Sequence, residues 1–172
     1  YKYMGGTSMA SPLVAGGAAV VRDYYQKVHG HAASAALVKA TLVNSAVDLL
    51  DENNDGSDDN DFPIPNFYEG WGRVDLAAAT DGSREFREEA AGLSTGGTRS
   101  YTFEVAAGTP FKVTLAWSDY RGTTSASKML VNDLDLEVAG PGGVAYRGNV
   151  FGAGWSITGG LRDSRNNLEN VF

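Results

Sequence analysis

Ser8 lies in the run Gly5-Gly6-Thr7-Ser8-Met9-Ala10-Ser11-Pro12, an order of residues suited to nucleophilic attack by a hydroxyl. A serine hydroxyl needs a base, a rigid position and donors for the oxyanion before it attacks a carbonyl. Gly5 and Gly6 allow a tight turn and let a substrate backbone approach closely. The helical pattern that begins at Ser8 places it at a helix N-terminus, where free N–H groups and the positive end of the dipole favour a developing oxyanion. Its own backbone N–H is one such donor. Pro12 lacks the N–H that would bond the Ser8 carbonyl, which a helix tolerates only near its start. The plainer reading makes Ser8 an ordinary N-cap. The elbow pattern Gly-x-Ser-x-Gly is excluded, because Ala10 stands where its second glycine would be.

Two acidic segments could hold a divalent cation. Asp51-Glu52-Asn53-Asn54-Asp55-Gly56-Ser57-Asp58-Asp59 fits D-x-N-x-D-G-x-x-D, in which oxygens of Asp51, Asn53 and Asp55 converge around the turn at Gly56. Position twelve of that loop is Phe62, so a full EF-hand is absent. Across residues 130–138, period-two alternation puts Leu130, Asn132, Leu134, Leu136 and Val138 on one face. Asp133, Asp135 and Glu137 take the other, with neighbouring carboxylates ~7 Å apart. Such charges repel unless calcium or arginine answers them. Calcium would draw on Asp133 and Asp135 with Asp163, Asn166, Asn167 and Glu169; the alternative is pairing with Arg147, Arg162 or Arg165. A solvated acidic loop is the plain alternative for residues 51–59.

The elements that must position these groups follow from periodicity. Val14, Val21, Tyr25 and Val28, with a second row of Leu13, Val20 and Tyr24, give a helix from residue 8 to about 28. The small residues between them (residues 15–19) predict a helix buried in a larger core. Ser34 predicts the N-cap of a second helix whose apolar stripe is Val38, Leu42, Ala46, Leu49 and Leu50. A short Ala-rich helix is expected at residues 76–79. Beyond Asp81-Gly82 the period changes to two. Strands are expected at Tyr101-Phe103-Val105, at Phe111-Val113-Leu115-Trp117 and across residues 130–138. The expected boundary is residue 82: an α/β part over 1–82, then an all-β sandwich over 83–172. Both ends read as cut, on aromatic extended sequence at the start and on a beginning strand at the end.

Gly6-Thr7-Ser8-Met9-Ala10-Ser11-Pro12 resembles the active-serine signature of the subtilisin-like serine proteases. Tyr3-Met4-Gly5-Gly6, Gly70-Trp71-Gly72-Arg73-Val74 and Leu130-Val131-Asn132-Asp133-Leu134-Asp135-Leu136 extend the resemblance to the oxidatively stable alkaline subtilases with a C-terminal jelly-roll domain. The acidic loop is an insertion relative to them. The resemblance implies a C-terminal fragment of a secreted serine endopeptidase. Residues 1–82 would end its α/β catalytic domain, and residues 83–172 would form a jelly-roll-like sandwich truncated at its C-terminus. Ser8 would be the nucleophile, with Gly6, Thr7 and Met9 bordering the oxyanion and substrate. Protein or peptide would be the substrate, and structural calcium the cofactor.

Subtilisins run Asp, His, Ser along the chain, so the base, its carboxylate and the family's oxyanion asparagine would precede Tyr1. The missing N-terminal part of the same domain is therefore an expected partner. His29 and His31 cannot serve: twenty-one residues separate Ser8 from His29, about 30 Å along a helix. The chain alone is expected to be inactive.

Composition narrows the remaining classes. The chain has 172 residues, 42% hydrophobic and 20% charged, with a net charge of −7 and no cysteine. That charge disfavours nucleic acid and anionic membrane, and the lack of cysteine removes disulfide and thiolate chemistry. The apolar stretch at 9–21 is shorter than the ~20 residues a membrane span needs. Two readings compete with the endopeptidase. One is a calcium-stabilised binding module with Trp117, Tyr120, Tyr146 and Trp155 as stacking rings, although Trp117 reads as core. The other is an accessory sandwich that only braces the catalytic part.

Overall fold

The computed structural model describes residues 3–51, 53 and 55–172. Three helices come first: α1 (Thr7–His29), α2 (Ala35–Asn44) and α3 (Leu76–Ala79). Five strands follow: β1 (Val113–Ala116), β2 (Glu137–Ala139), β3 (Ala145–Gly152), β4 (Trp155–Thr158) and β5 (Leu168–Val171). Among the described residues no helix is long and apolar enough to cross a membrane.

α1 stops at Gly30, whose left-handed backbone (φ 60°) lets its own amide and that of His31 bond the Tyr25 carbonyl. Val21 and Tyr25 enter a core with Ala33, Leu37, Val38 and Ala79. Leu76 of α3 packs so closely on Gly17 that a Cβ there would lie 3.0 Å from its Cδ2. The Tyr25 and Thr41 hydroxyls meet at 2.8 Å inside this core. The rest of α1 departs from the expected all-round burial. Leu13, Val14, Val20 and Val28 are exposed, because α2 and α3 cover only the Gly17–Val21–Tyr25 side.

Ser34 caps α2 as expected, its hydroxyl accepting the Leu37 amide at 3.2 Å. The helix ends at Asn44, so Ala46, Leu49 and Leu50 of the expected stripe lie beyond it. Val47 instead pairs with Arg73 through backbone bonds of 2.9 and 2.8 Å. This close crossing requires Gly72, where φ is 99° and a Cβ would sit 2.5 Å from the Val47 carbonyl oxygen. Asp75 then caps α3 through the Ala78 amide at 2.9 Å.

β1 pairs antiparallel with β5, setting Val113 opposite Val171 and Leu115 opposite Glu169. A second antiparallel sheet runs in the order β2-β3-β4, with a register shift between Tyr146 and Phe151 where Asn149 turns left-handed (φ 60°). The chain thus has helices in its first part and antiparallel strands in its second, as the change of period predicts. Two expected strands differ. Residues 101–105 pair with no strand among the described residues, and Phe103 only stacks on Phe111. Of residues 130–138 only the end enters β2. Side chains take the amides that a ladder would use: Asp119 accepts from Val131 and Asn132, and Glu169 from Leu136.

Polar contacts join the helices to the strands. Asn44 at the end of α2 donates to the Lys112 carbonyl at 3.2 Å and to Thr114 of β1 at 3.1 Å. Arg84 donates to Asn44 and to the Ala78 carbonyl at the end of α3.

Candidate active-site serine and acidic cradle

Ser8 is the second residue of α1 and is exposed, as are Gly6, Thr7 and Met9. Gly6 ends the preceding extended segment at φ 145°, and its carbonyl accepts the amides of Met9 and Ala10 at 3.0 and 3.1 Å. No side chain caps the helix. The amides of Thr7 and Ser8 therefore point out of the first turn without a partner among the described residues, which suits them to an oxyanion. Pro12 falls within the helix and leaves the Ser8 carbonyl without its helical donor.

The two histidines lie at the other end of α1. His29 Nε2 meets the Tyr24 hydroxyl at 3.2 Å, and His31 Nε2 contacts the Glu88 carboxylate. Glu88 also accepts the Ser34 amide at 3.2 Å. Burial pushes the Glu88 carboxyl up, but the bonds from Ser34 and His31 outweigh it and hold it below the usual range. This cluster, with Phe86 against both imidazoles, ties the segment after α3 to the helical core. It offers Ser8 no base.

In the acidic loop, Asp51 turns inward and accepts the amides of Asp55 and Gly56 at 2.9 and 3.2 Å. Asn53 accepts the Asp55 amide, and Asp55 accepts that of Ser57, both at 2.9 Å. The Ser57 amide leads the hydrogen bonds that lower the exposed Asp55 carboxyl. Glu52 and Asn54 lie outside the described residues. The carboxylates brought together are those of Asp55, Asp59 and Asp61, with ligand atoms within 4.8 Å of one another and all exposed. The spacing pattern singled out Asp51, Asn53 and Asp55 because it cannot show that Asp51 serves the turn.

Glu169 is the centre of the second acidic group. It is 1% exposed in β5, facing Gly148 so closely that a Cβ there would lie 2.7 Å from its own Cβ. One carboxylate oxygen accepts the Leu136 amide at 2.7 Å; the other, Oε1, is buried without a partner. Burial pushes this carboxyl up to about 7, the Leu136 bond opposes the rise, and the charges of Asp135, Asp163 and Asp133 add to it. Asp163 accepts the side-chain amides of Asn149 and Asn166, both at 2.6 Å. Asn167 turns elsewhere, accepting Lys39 at 2.7 Å and donating to the Trp117 carbonyl at 3.0 Å. Asp133 meets Lys128 at 3.1 Å, while Arg162 meets Asp135 at 2.9 Å and Glu137 at 3.5 Å. Of the aromatic candidates, Trp117 is buried, with its indole N–H on the Asn132 carbonyl at 2.9 Å. Tyr120 and Trp155 are exposed on separate segments.

The family model of the subtilases matches residues 1–72. The chain is also similar to the Serine protease/ABC transporter B family protein tagA of Dictyostelium discoideum, 29% identical over 153 residues. That match takes in 77% of this chain, which spans about 8% of the length of that relative.

Proposed function

We infer, from a chain whose residues 1–72 match the family model of the subtilases, that Ser8 is the nucleophile of a serine endopeptidase. Its histidine base, orienting aspartate and oxyanion asparagine would be supplied by a preceding part of the same catalytic domain. The observation that carries this reading is the uncapped first turn of α1, with Ser8 second in the helix and its amide open. In the complete enzyme Ser8 Oγ attacks the scissile carbonyl and the histidine takes its proton, then returns it to the leaving amine. Water releases the acyl-enzyme. Gly6 and Thr7 leave room for the substrate backbone, and Met9 borders the serine.

The apolar surface of α1 favours the same reading. Leu13, Val20 and Val28 are exposed, and a groove of about 680 Å³ opens between α1 and α2, lined by Val14, Ala18, Val38, Leu42 and Trp71. The rest of the catalytic domain would cover it. On this account residues 1–82 close that domain, and residues 83–172 begin a jelly-roll-like sandwich in a secreted protease acting on protein or peptide. Expressed behind its own upstream coding sequence, the chain should hydrolyse a casein substrate, and Ser8→Ala should remove at least ~10³-fold of that rate. Full activity in Ser8→Ala, or hydrolysis by the 172-residue chain alone, would overturn the assignment.

A structural calcium ion is the second element of the proposal, and the buried, unpartnered Oε1 of Glu169 favours it. A desolvated carboxylate oxygen without a donor is costly unless it is protonated or meets a cation. Glu169 would be the chain's ligand to that ion; Asp133 and Asp135, which pair with Lys128 and Arg162, and Asp163, which accepts from Asn149 and Asn166, would have to leave those partners to join it. In the inserted loop, Asp55, Asp59 and Asp61 suit a second ion better than Asp51 and Asn53 do. Calcium bound only by the folded chain raises its melting temperature. Excess chelator should lower that temperature, and a melt indifferent to chelator and to added calcium would remove the ion. A binding module finds less support, since Trp117 is core and the exposed Tyr120 and Trp155 lie on separate segments.

A further inference from the structure

The groove between α1 and α2 has a charge opposite in sign to that of the chain as a whole. Its walls are apolar apart from Ser34, Arg22 of α1 and Lys39 of α2, and no aspartate or glutamate among the described residues lines it. The chain carries 21 acidic residues against 14 lysines and arginines, so two cations without an anion set this groove apart. Neither cation has a carboxylate partner among the described residues.

The two differ in freedom. Arg22 is exposed, and its long stem lets the guanidinium stay in water when the groove is covered. Lys39 is tied in place. It stands where the groove runs into a second crevice of about 230 Å³, with Val43 and Trp71 lining both. There the side-chain oxygen of Asn167, just ahead of β5, accepts its ammonium at 2.7 Å. An ammonium has three N–H donors, and the other two meet no acceptor among the described residues. Partial burial already holds Lys39 below its ordinary pKa. The Asp163 carboxylate, held by Asn149 and Asn166 of the same crevice at 2.6 Å, makes no ion pair with it.

A segment that covers the groove takes the remaining water from Lys39. An enclosed ammonium with only a neutral amide for company is costly unless a carboxylate joins it. We propose that the groove is covered by an apolar segment from the preceding part of the catalytic domain, and that an aspartate or glutamate of this segment pairs with Lys39 beside Asn167. This pairing rests on the endopeptidase reading above and names the chemistry of the segment which that reading requires. It would also fasten the covering segment to the strands, because Asn167 in turn donates to the Trp117 carbonyl at 3.0 Å.

The test uses the protein expressed behind its upstream coding sequence and carrying Ser8→Ala, so that it does not digest itself. A carbodiimide joins an amine to a carboxylate only where the two are in contact. Mass-spectrometric mapping should then find Lys39 joined to an Asp or Glu that precedes Tyr1 in the same molecule. Lys39→Met keeps an apolar stem and removes the charge. In the longer protein it strands an enclosed carboxylate and should lower the melting temperature by at least about 5 °C. In the 172-residue chain, where that carboxylate is missing, the shift should stay within about 2 °C. A role confined to the Asn167 contact would give equal shifts in both proteins and overturn the pairing, as would a crosslink from Lys39 to a second copy. Should Lys39→Met fail to fold, the crosslink decides alone, its absence counting against the pairing. Fluorophosphonate labelling of the longer protein with Ser8 intact separates the two claims. If Ser8 stays unlabelled there, the endopeptidase reading falls and the pairing with it. If Ser8 is labelled while the two melting shifts match, the reading stands and the pairing falls.

Discussion

Glu169 shows how little a residue's type says about its state. In sequence it is one more acidic residue near the end of the chain; in the structure it is the most enclosed carboxylate among the described residues, raised to about 7 chiefly by burial. Its folded value lies above the ordinary 4.5, so the folded state holds its proton more tightly. Below about pH 4.5 both states are protonated and nothing is lost. Between about 4.5 and 7 the unfolded state ionises first, so stability falls as pH rises, by up to about 3 kcal/mol. In chelator the melting temperature of the chain should therefore drop from pH 5 to pH 8. Glu169→Gln should flatten that drop and lose the gain from added calcium. A wild-type profile no steeper than that of Glu169→Gln would show that Glu169 does not titrate as described. The helix start at Thr7 and Ser8, by contrast, was legible from its neighbours, because a short ordered string fixes the turn and the helix start together. The contacts of Asp119 were not, since they are made with amides twelve and thirteen residues away.

At the scale of elements, local signals read well and partner-dependent ones did not. The Ser34 cap, the end of α1 near residue 28 and the α3 helix follow from groups within a few residues of one another. The stripe that carried α2 on to Leu50 failed because Val47 has a backbone partner in Arg73, which hydrophobic spacing cannot reveal. Residues 101–105 alternate like a strand, but alternation supplies a face and not a neighbouring edge. Gly72 is the residue on which the Val47–Arg73 crossing depends. Gly72→Ala would place a Cβ against the Val47 carbonyl at a φ of 99°. Strain at such a position, added to the clash, should cost more than about 2 kcal/mol. Chemical denaturation would measure it, and a loss under about 0.5 kcal/mol, the range of ordinary surface changes, would mean that the crossing relaxes freely.

For the whole molecule, the shift from helical to period-two patterning marked the change from helices to antiparallel strands. What it could not show is how the halves meet. The seam has a polar row, running from Arg84 through Asn44 to Thr114 and on to the buried Asn170, and an aromatic cluster in which Trp71 meets Phe151 and Phe172. A groove and exposed rows on α1 remain open beside it, and the account assigns both to the rest of a catalytic domain. Its central claim is that Ser8 becomes a nucleophile only within that domain. The most direct measurement is mass-spectrometric mapping of a fluorophosphonate adduct, on the chain expressed behind its upstream coding sequence and on the 172 residues alone. Rapid, stoichiometric modification of Ser8 is expected in the first and none in the second. An adduct at a different serine in the first protein, or rapid labelling of Ser8 in the second, would contradict it.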